Sequence, residues 1–165
     1  MDKIQIKSRI KSAAEIIRQL ELQAHPEGGW YKEIYRSPNT IDSNGTQRSV
    51  LTGIYFLLEE NKMSRWHVVD ADEVWHFYEG DLLELFVASP AFSEVRTIRL
   101  DEISNNAEPV YVVPKGWWQA ARSTGKFTLV GCNVAPGFEF SGFRFATESE
   151  VAHVKSVCPE YAFLL

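Results

Sequence analysis

Cysteine is scarce in this chain: Cys132 and Cys158 are its two thiols in 165 residues, and they form no C-x-x-C pair. That is too few for a disulfide framework, so a reducing, cytoplasmic setting is the expectation. A basic excess is missing too, because 17 Lys and Arg stand against 22 Asp and Glu, for a formal charge of −5. Scattered cations in that proportion cannot neutralise a run of phosphates, which argues against a nucleic-acid partner. No apolar run approaches the ~20 residues that span a bilayer, so no membrane partner is expected either. The start, MDKIQIKSRIK, lacks the apolar core of a secretory signal. Its basic, mildly amphipathic character leaves a transit segment as the alternative. Internal repeats and low-complexity stretches are absent.

What the chain does have is apolar bulk. With 45% hydrophobic and 13% aromatic residues, residues 1–165 can bury a substantial core as one domain. Ser12-Ala13-Ala14-Glu15 has the form of a capping box, and Ala13, Ile16, Ile17 and Leu20 follow at helical spacing, which predicts a helix over about 13–22. His25-Pro26-Glu27-Gly28-Gly29 breaks it. Thr147-Glu148-Ser149-Glu150 is a second capping box, followed by Val151, Val154 and Val157 and stopped before Pro159, which predicts a helix near the carboxyl end.

Between the helices the texture changes to short runs of β-branched and aromatic residues. They cover 30–36, 49–58, 74–78, 82–88, 95–100, 110–113, 127–134 and 138–145. Turn chemistry bounds each of them: Asn44-Gly45, Glu79-Gly80-Asp81, Ser89-Pro90, Ser123-Thr124-Gly125, Pro136-Gly137. Such even punctuation predicts an all-β antiparallel sandwich or barrel, not a parallel sheet with crossover helices.

One stretch, Arg65 to Gly80, carries the chemistry. Alternation along a strand makes Arg65 and Val69 share the face of His67, while Trp75 and Phe77 share the face of Glu73 and His76 falls on the other. If that shared face is interior, an imidazole and a carboxylate lie together among aromatic walls, where their protonation is coupled.

His67, Val69, Glu73 and Gly80 resemble the first cupin motif, with Val69 standing where a second histidine is usual. Pro114-Lys115-Gly116-Trp117-Trp118-Gln119 resembles the second motif, with Gln119 in place of its histidine. Together with His25-Pro26-Glu27-Gly28-Gly29-Trp30-Tyr31, Tyr55-Phe56-Leu57-Leu58 and Trp66-His67 through His76, the pattern is similar to the cupin-5 family, a domain of unknown function in the RmlC-like cupin superfamily. The resemblance implies a double-stranded β-helix, or jelly roll, with a barrel core over about residues 25–146 and commonly a homodimer. It leaves the reaction open, because this scaffold hosts oxygenases, isomerases, epimerases and simple binders. A typical cupin metal site uses three imidazoles and a carboxylate, whereas the matching positions here offer His67, Val69, Glu73 and Gln119. No cofactor is therefore expected, with a weakly held divalent metal at His67 and Glu73 as the alternative. Sugar-nucleotide epimerases of the same group have also lost metal ligands and use a retained histidine as base, although the basic group they place near it is not evident around Glu73.

Each candidate has a functional and a structural reading. His67 and Glu73 are the catalytic candidates, and a hydrogen-bonded pair closing the barrel is the alternative; burying an unpaired carboxylate is costly, which favours function. Trp75, Phe77 and Trp118 are candidate ligand walls, or simply core. Gln119 and Glu33 are candidate polar anchors, or a buried amide serving the backbone and a solvated acid. Arg65 and Arg48 could receive a phosphate or carboxylate, or form ion pairs. His76 either reaches the ligand or sits at an interface. His25 and His153 read as structural or solvent-facing, and Cys132 as core. The leading function is a small-molecule-binding barrel with an interior His/Glu pocket, acting as a sugar or sugar-nucleotide epimerase or isomerase by proton transfer. The alternatives are a non-catalytic binder of a carbohydrate or nucleotide derivative, and a metal-dependent oxygenase or isomerase recruiting His76.

Overall fold

The computed structural model describes residues 12–43 and 45–165. The reading of residues 1–11, and that of Asn44 in its turn, lie outside the described residues. Both capping boxes form. In α1 (Ala13–Leu20) the Glu15 N–H donates to the Ser12 hydroxyl while the Ser12 N–H donates to the Glu15 carboxylate, which satisfies two otherwise orphaned donors. The helix stops at Leu20 because Glu21 turns left-handed, with φ 56°, and its N–H closes back onto the last turn. In α2 (Glu148–Val157), Thr147 and Glu150 repeat the device. No described helix is long and apolar enough to cross a membrane.

Among the described residues thirteen strands lie between the helices: β1 (Gln23–Ala24), β2 (Trp30–Arg36), β3 (Thr40–Ser43), β4 (Thr46–Ser49), β5 (Thr52–Glu59), β6 (Met63–Val69), β7 (Asp72–Gly80), β8 (Leu83–Ala88), β9 (Val95–Leu100), β10 (Val110–Val113), β11 (Trp118–Ser123), β12 (Phe127–Ala135) and β13 (Phe143–Phe145). They pair antiparallel into a six-stranded sheet, β1-β2-β5-β12-β7-β10, and a five-stranded sheet, β13-β6-β11-β8-β9, with β3-β4 as a separate hairpin. The sheets face each other as an all-β antiparallel sandwich, as the punctuation predicts, in the jelly-roll form that the cupin resemblance implies.

Alternation along the strands sorts most of the buried apolar residues into three larger cores, with Val69, Ala71 and Val134 forming a small fourth against Phe138 and Phe143. Phe56, Leu58, Trp75, Leu83, Leu85, Val87, Val130 and Cys132 fill the space between the sheets. Leu57 and Leu129 point the other way, under Ile16 of α1. Trp66, Trp118 and Ala120 face outward under Val154 of α2 and Leu164.

Three local departures matter for the site. Between β6 and β11, Gln119 pairs with His67 and Ala121 with Ser64. Two steps on β11 thus match three on β6, so β6 carries a bulge. The bulge lets Ser64 and His67 both face inward and turns Arg65 out. The run 138–145 is a strand only at Phe143–Phe145, and a 3-10 turn at Phe140–Gly142 precedes it. Arg48 holds this segment: it is buried, donates to the Pro136 and Gly137 carbonyls, and pairs with Asp70 at 2.8 Å. Arg48 is thereby a structural clamp, not an anion receptor.

Candidate functional site

A cavity of about 140 Å3 opens at one end of the barrel. Its polar floor comes from three places. The turn at residues 25–29 contributes His25 and Glu27, β6 contributes His67, and β7 contributes Glu73. Gly28 and Gly29, at φ 111° and 73°, make the turn possible, and a Cβ at Gly28 would collide with the Met63 carbonyl. The turn is thus pressed against β6, with the Arg65 N–H donating to the Glu27 carbonyl at 3.1 Å.

Hydrogen bonds fix both imidazoles. His67 Nδ1 lies 2.7 Å from the Arg65 carbonyl, and because a carbonyl only accepts, Nδ1 carries the proton and Nε2 keeps its lone pair. That Nε2 faces Glu27 Oε2 at 3.3 Å. His25 has the opposite tautomer, since its Nδ1 accepts from the Glu27 N–H at 3.3 Å, leaving the proton on Nε2. Glu27 Oε1 accepts from the Ser64 hydroxyl at 2.8 Å. Glu73 accepts from the Gln119 amide at 2.5 Å, and the Gln119 oxygen accepts from the Trp75 indole N–H at 3.0 Å.

Burial dominates the electrostatics. It raises Glu27 to about 7, against the opposing influence of His25 and the Ser64 hydroxyl. It raises Glu73 to about 7 as well, against His67 and the Gln119 hydrogen bond. The same desolvation holds His67 and His25 below the ordinary histidine value. Cys132, between the carboxyls, is pushed well up by burial and by their charge, so its thiol is no nucleophile. Burial thus favours the uncharged form of both imidazoles and both carboxyls, a set able both to take and to give a proton.

Aromatic rings wall the cavity. Tyr31 meets the His25 ring edge-on at 4.6 Å, Phe143 lies 5.2 Å from the His67 ring, and Phe138, Phe140 and Phe56 complete the lining. At the rim, Arg36 is shared between Glu33 and Glu139.

The candidates from sequence divide accordingly. His67, Glu73, Glu33 and Trp75 line the cavity, while Gln119 stands behind Glu73 and orients it. Four expectations are corrected. Trp118 does not wall the pocket: it alternates with Gln119 and packs outside the sheet against Phe92, in the core under α2. Arg65 is exposed by the β6 bulge, donating to the Pro26 carbonyl and lying over the Phe145 ring. Phe77 packs on the aliphatic core, beyond the cavity. His76 lies on the outer sheet face, its Cα paired with Gly131 and Val110. The alternative of a His67–Glu73 hydrogen-bonded pair does not form, because the carboxyl at the His67 Nε2 is Glu27. Sequence reasoning missed Glu27, His25 and the Phe138–Phe143 wall. The signal was the His-Pro-Glu-Gly-Gly segment, in which paired glycines force a turn that can carry a carboxyl inward.

The donor set fits a transition metal poorly. Val69 supplies no ligand, both polar atoms of Gln119 are engaged with Trp75 and Glu73, and no described group of three or more His, Cys, Asp or Glu side chains is arranged to hold an ion.

Two antiparallel sheets closed around an acid and imidazole floor define a small double-stranded β-helix protein. The chain belongs to the Cupin_5 family, described as Cupin superfamily (DUF985), whose model matches residues 14–146. Among solved structures it is similar to a hypothetical protein from Leishmania major, with 27% identity, TM-score 0.82 and coverage of 93% of this chain and 96% of that one. It is also similar to a protein from Shewanella oneidensis, with 32% identity, TM-score 0.81 and coverage of 94% and 95%. A cupin 2 conserved barrel domain protein from Rhodopseudomonas palustris, at 12% identity, TM-score 0.59 and coverage of 87% and 84%, shares the fold. No curated protein matches the sequence.

Proposed function

We propose that this cupin binds a compact polar molecule in the barrel and isomerises or epimerises it by proton transfer, without a metal. The observation that carries the reading is the His67 tautomer: Nδ1–H is committed to the Arg65 carbonyl, so the bare Nε2 faces an aromatic-walled cavity beside Glu27. In the step, Nε2 takes a proton from carbon adjacent to a substrate carbonyl. The C–H electron pair moves to the carbonyl oxygen, which receives a proton from a neutral carboxyl, Glu27 or Glu73. Return of a proton to the same carbon from the opposite face inverts it; where that carbon bears a hydroxyl, return to the neighbouring carbon with loss of the hydroxyl proton moves the carbonyl. A cavity on the order of 150 Å3 holds a benzene-sized molecule, so the enclosed part accepts a sugar-sized fragment, and a nucleotide would have to extend past the Arg36 rim.

The second reading is a non-catalytic binder. It is favoured by Glu27, whose Oε2 lies 3.3 Å from the His67 Nε2 and would have to move aside for a substrate to reach it. Ligand extraction and mass spectrometry of the purified protein, followed by proton NMR of that ligand with the protein in D2O, separates the two. Loss of a carbon-bound proton signal that depends on His67 supports the enzyme, and saturable binding without exchange supports the binder. We also propose a homodimer through the outer face of the six-stranded sheet, where Tyr78, Val110 and Val112 are exposed. A monomer in light scattering at micromolar concentration would count against it.

A further inference from the structure

The polar atoms around the cavity are unevenly matched. Acceptors prevail: the lone pair of His67 Nε2, Glu27 Oε2, the Glu73 carboxyl, and Glu33 and Glu139 at the rim. One guanidinium lines the same space, and its fork is spent. Arg36 donates through Nε and Nη2 to Glu33, through Nη1 to Glu139, and again through Nη2 to the Phe138 carbonyl. Neutral donors on the lining residues include the His25 Nε2–H and the Tyr31 and Thr52 hydroxyls. Four carboxyls thus face one neutralised cation, inside walls of aromatic rings whose faces favour positive charge.

From this complementarity we infer that the ligand is a compact primary amine, bound as the ammonium, with its N–H groups on the Glu73 carboxylate, so that His67 Nε2 and Glu27 stay free for the carbon and carbonyl of the same molecule. The inference rests on the reading of the cavity as a small-molecule site and narrows its substrate class: amine-bearing molecules enter, and carboxylates and phosphates are rejected. A carbonyl or hydroxyl elsewhere on the same molecule suits the His25 Nε2–H and Tyr31. The protonation of the floor agrees, since the two buried carboxyls lack a fixed cationic partner and an ammonium would supply one. Amine binding then releases protons to solvent.

Isothermal titration calorimetry with benzylamine, benzyl alcohol and benzoate tests this on one ring of cavity size. Near neutral pH, benzylamine is expected to bind at least about tenfold more tightly than benzyl alcohol, with benzoate undetectable. Comparing buffers of different ionisation enthalpy should show proton release with the amine alone. Glu73→Gln should lower amine affinity by about tenfold and change alcohol affinity much less, so that the amine preference shrinks. Equal or tighter binding of the alcohol, or any binding of benzoate, overturns the amine assignment while leaving a small-molecule site in place. Failure of all three to bind overturns it as well, and the proton-transfer reading is then judged separately by exchange in D2O.

Discussion

The barrel interior has two unlike halves. One is aliphatic, with Leu58, Leu83, Leu85, Val87 and Leu100 fully buried. The other holds Glu27, His67 and Glu73, at 7%, 2% and 7% exposure. Phe56, Trp75 and Cys132 belong to both, so the two are packed to a common boundary. The aliphatic half supplies stability, since its burial is favourable per unit area. The polar half works against folding, because two carboxyls and two imidazoles are desolvated there without a buried guanidinium or ammonium. A fold gains nothing from such a set that leucines would not give it, and that asymmetry is the physical case for a functional site.

The largest effect expected belongs to the aliphatic half. Leu85→Ala should cost about 2–5 kcal/mol in denaturant unfolding, with amine or native-ligand affinity unchanged. A large affinity loss there would erase the division. In the polar half the pattern inverts: His67→Ala should lower turnover of the identified substrate by about 100-fold or more while leaving the melting temperature little changed. A collapse in stability with affinity intact would make His67 structural.

Acidity tests the same contrast without any ligand. The folded Glu27 and Glu73 values, about 7, lie above the ordinary 4.5. Between those values the native state holds more protons than the unfolded state, so stability falls as pH rises through this window, by up to roughly 3 kcal/mol per group. The histidines act oppositely, because their lowered folded values make stability rise with pH up to the unfolded value, 6.5. Above that point the carboxyl effect stands alone. Urea unfolding on the alkaline side of 6.5 should therefore show declining stability, and Glu73→Gln should reduce the decline. A flat profile would place the carboxyls in a better-paired environment than the geometry shows.

Smaller effects sharpen the boundary. Arg65→Ala and His76→Ala lie outside the cavity and should change ligand affinity by no more than about twofold. Protein purified without added metal should contain well under one equivalent of zinc, iron, nickel or copper by elemental analysis. A stoichiometric metal lost on His67→Ala would restore the metalloenzyme reading.

The barrel was legible because turn residues and alternation act locally; the runs 95–100 and 110–113 coincide with β9 and β10. Both capping boxes were legible for the same reason. The site was legible where parity held, as for Glu73 and Trp75. It failed where a bulge shifted parity, as at Arg65. It failed again where a strand buries both faces, as in β11, since nothing in Trp118-Gln119 says which residue meets α2 and which meets Glu73. Glu27 was hidden for a third reason: it reaches the cavity from a turn, where side-chain direction follows from Gly28 and Gly29 and not from any period.

The most direct test of a polar half kept for function is thermal unfolding of the double variant Glu27→Gln, Glu73→Gln, somewhat above neutral pH. Neutral amides can keep the Ser64, Gln119 and His67 contacts while removing the ionisable groups. The account predicts a melting temperature at or above that of the unmodified protein, with ligand binding lost. A fall of more than about 5 °C would show that the carboxylates hold the barrel together, and would contradict it.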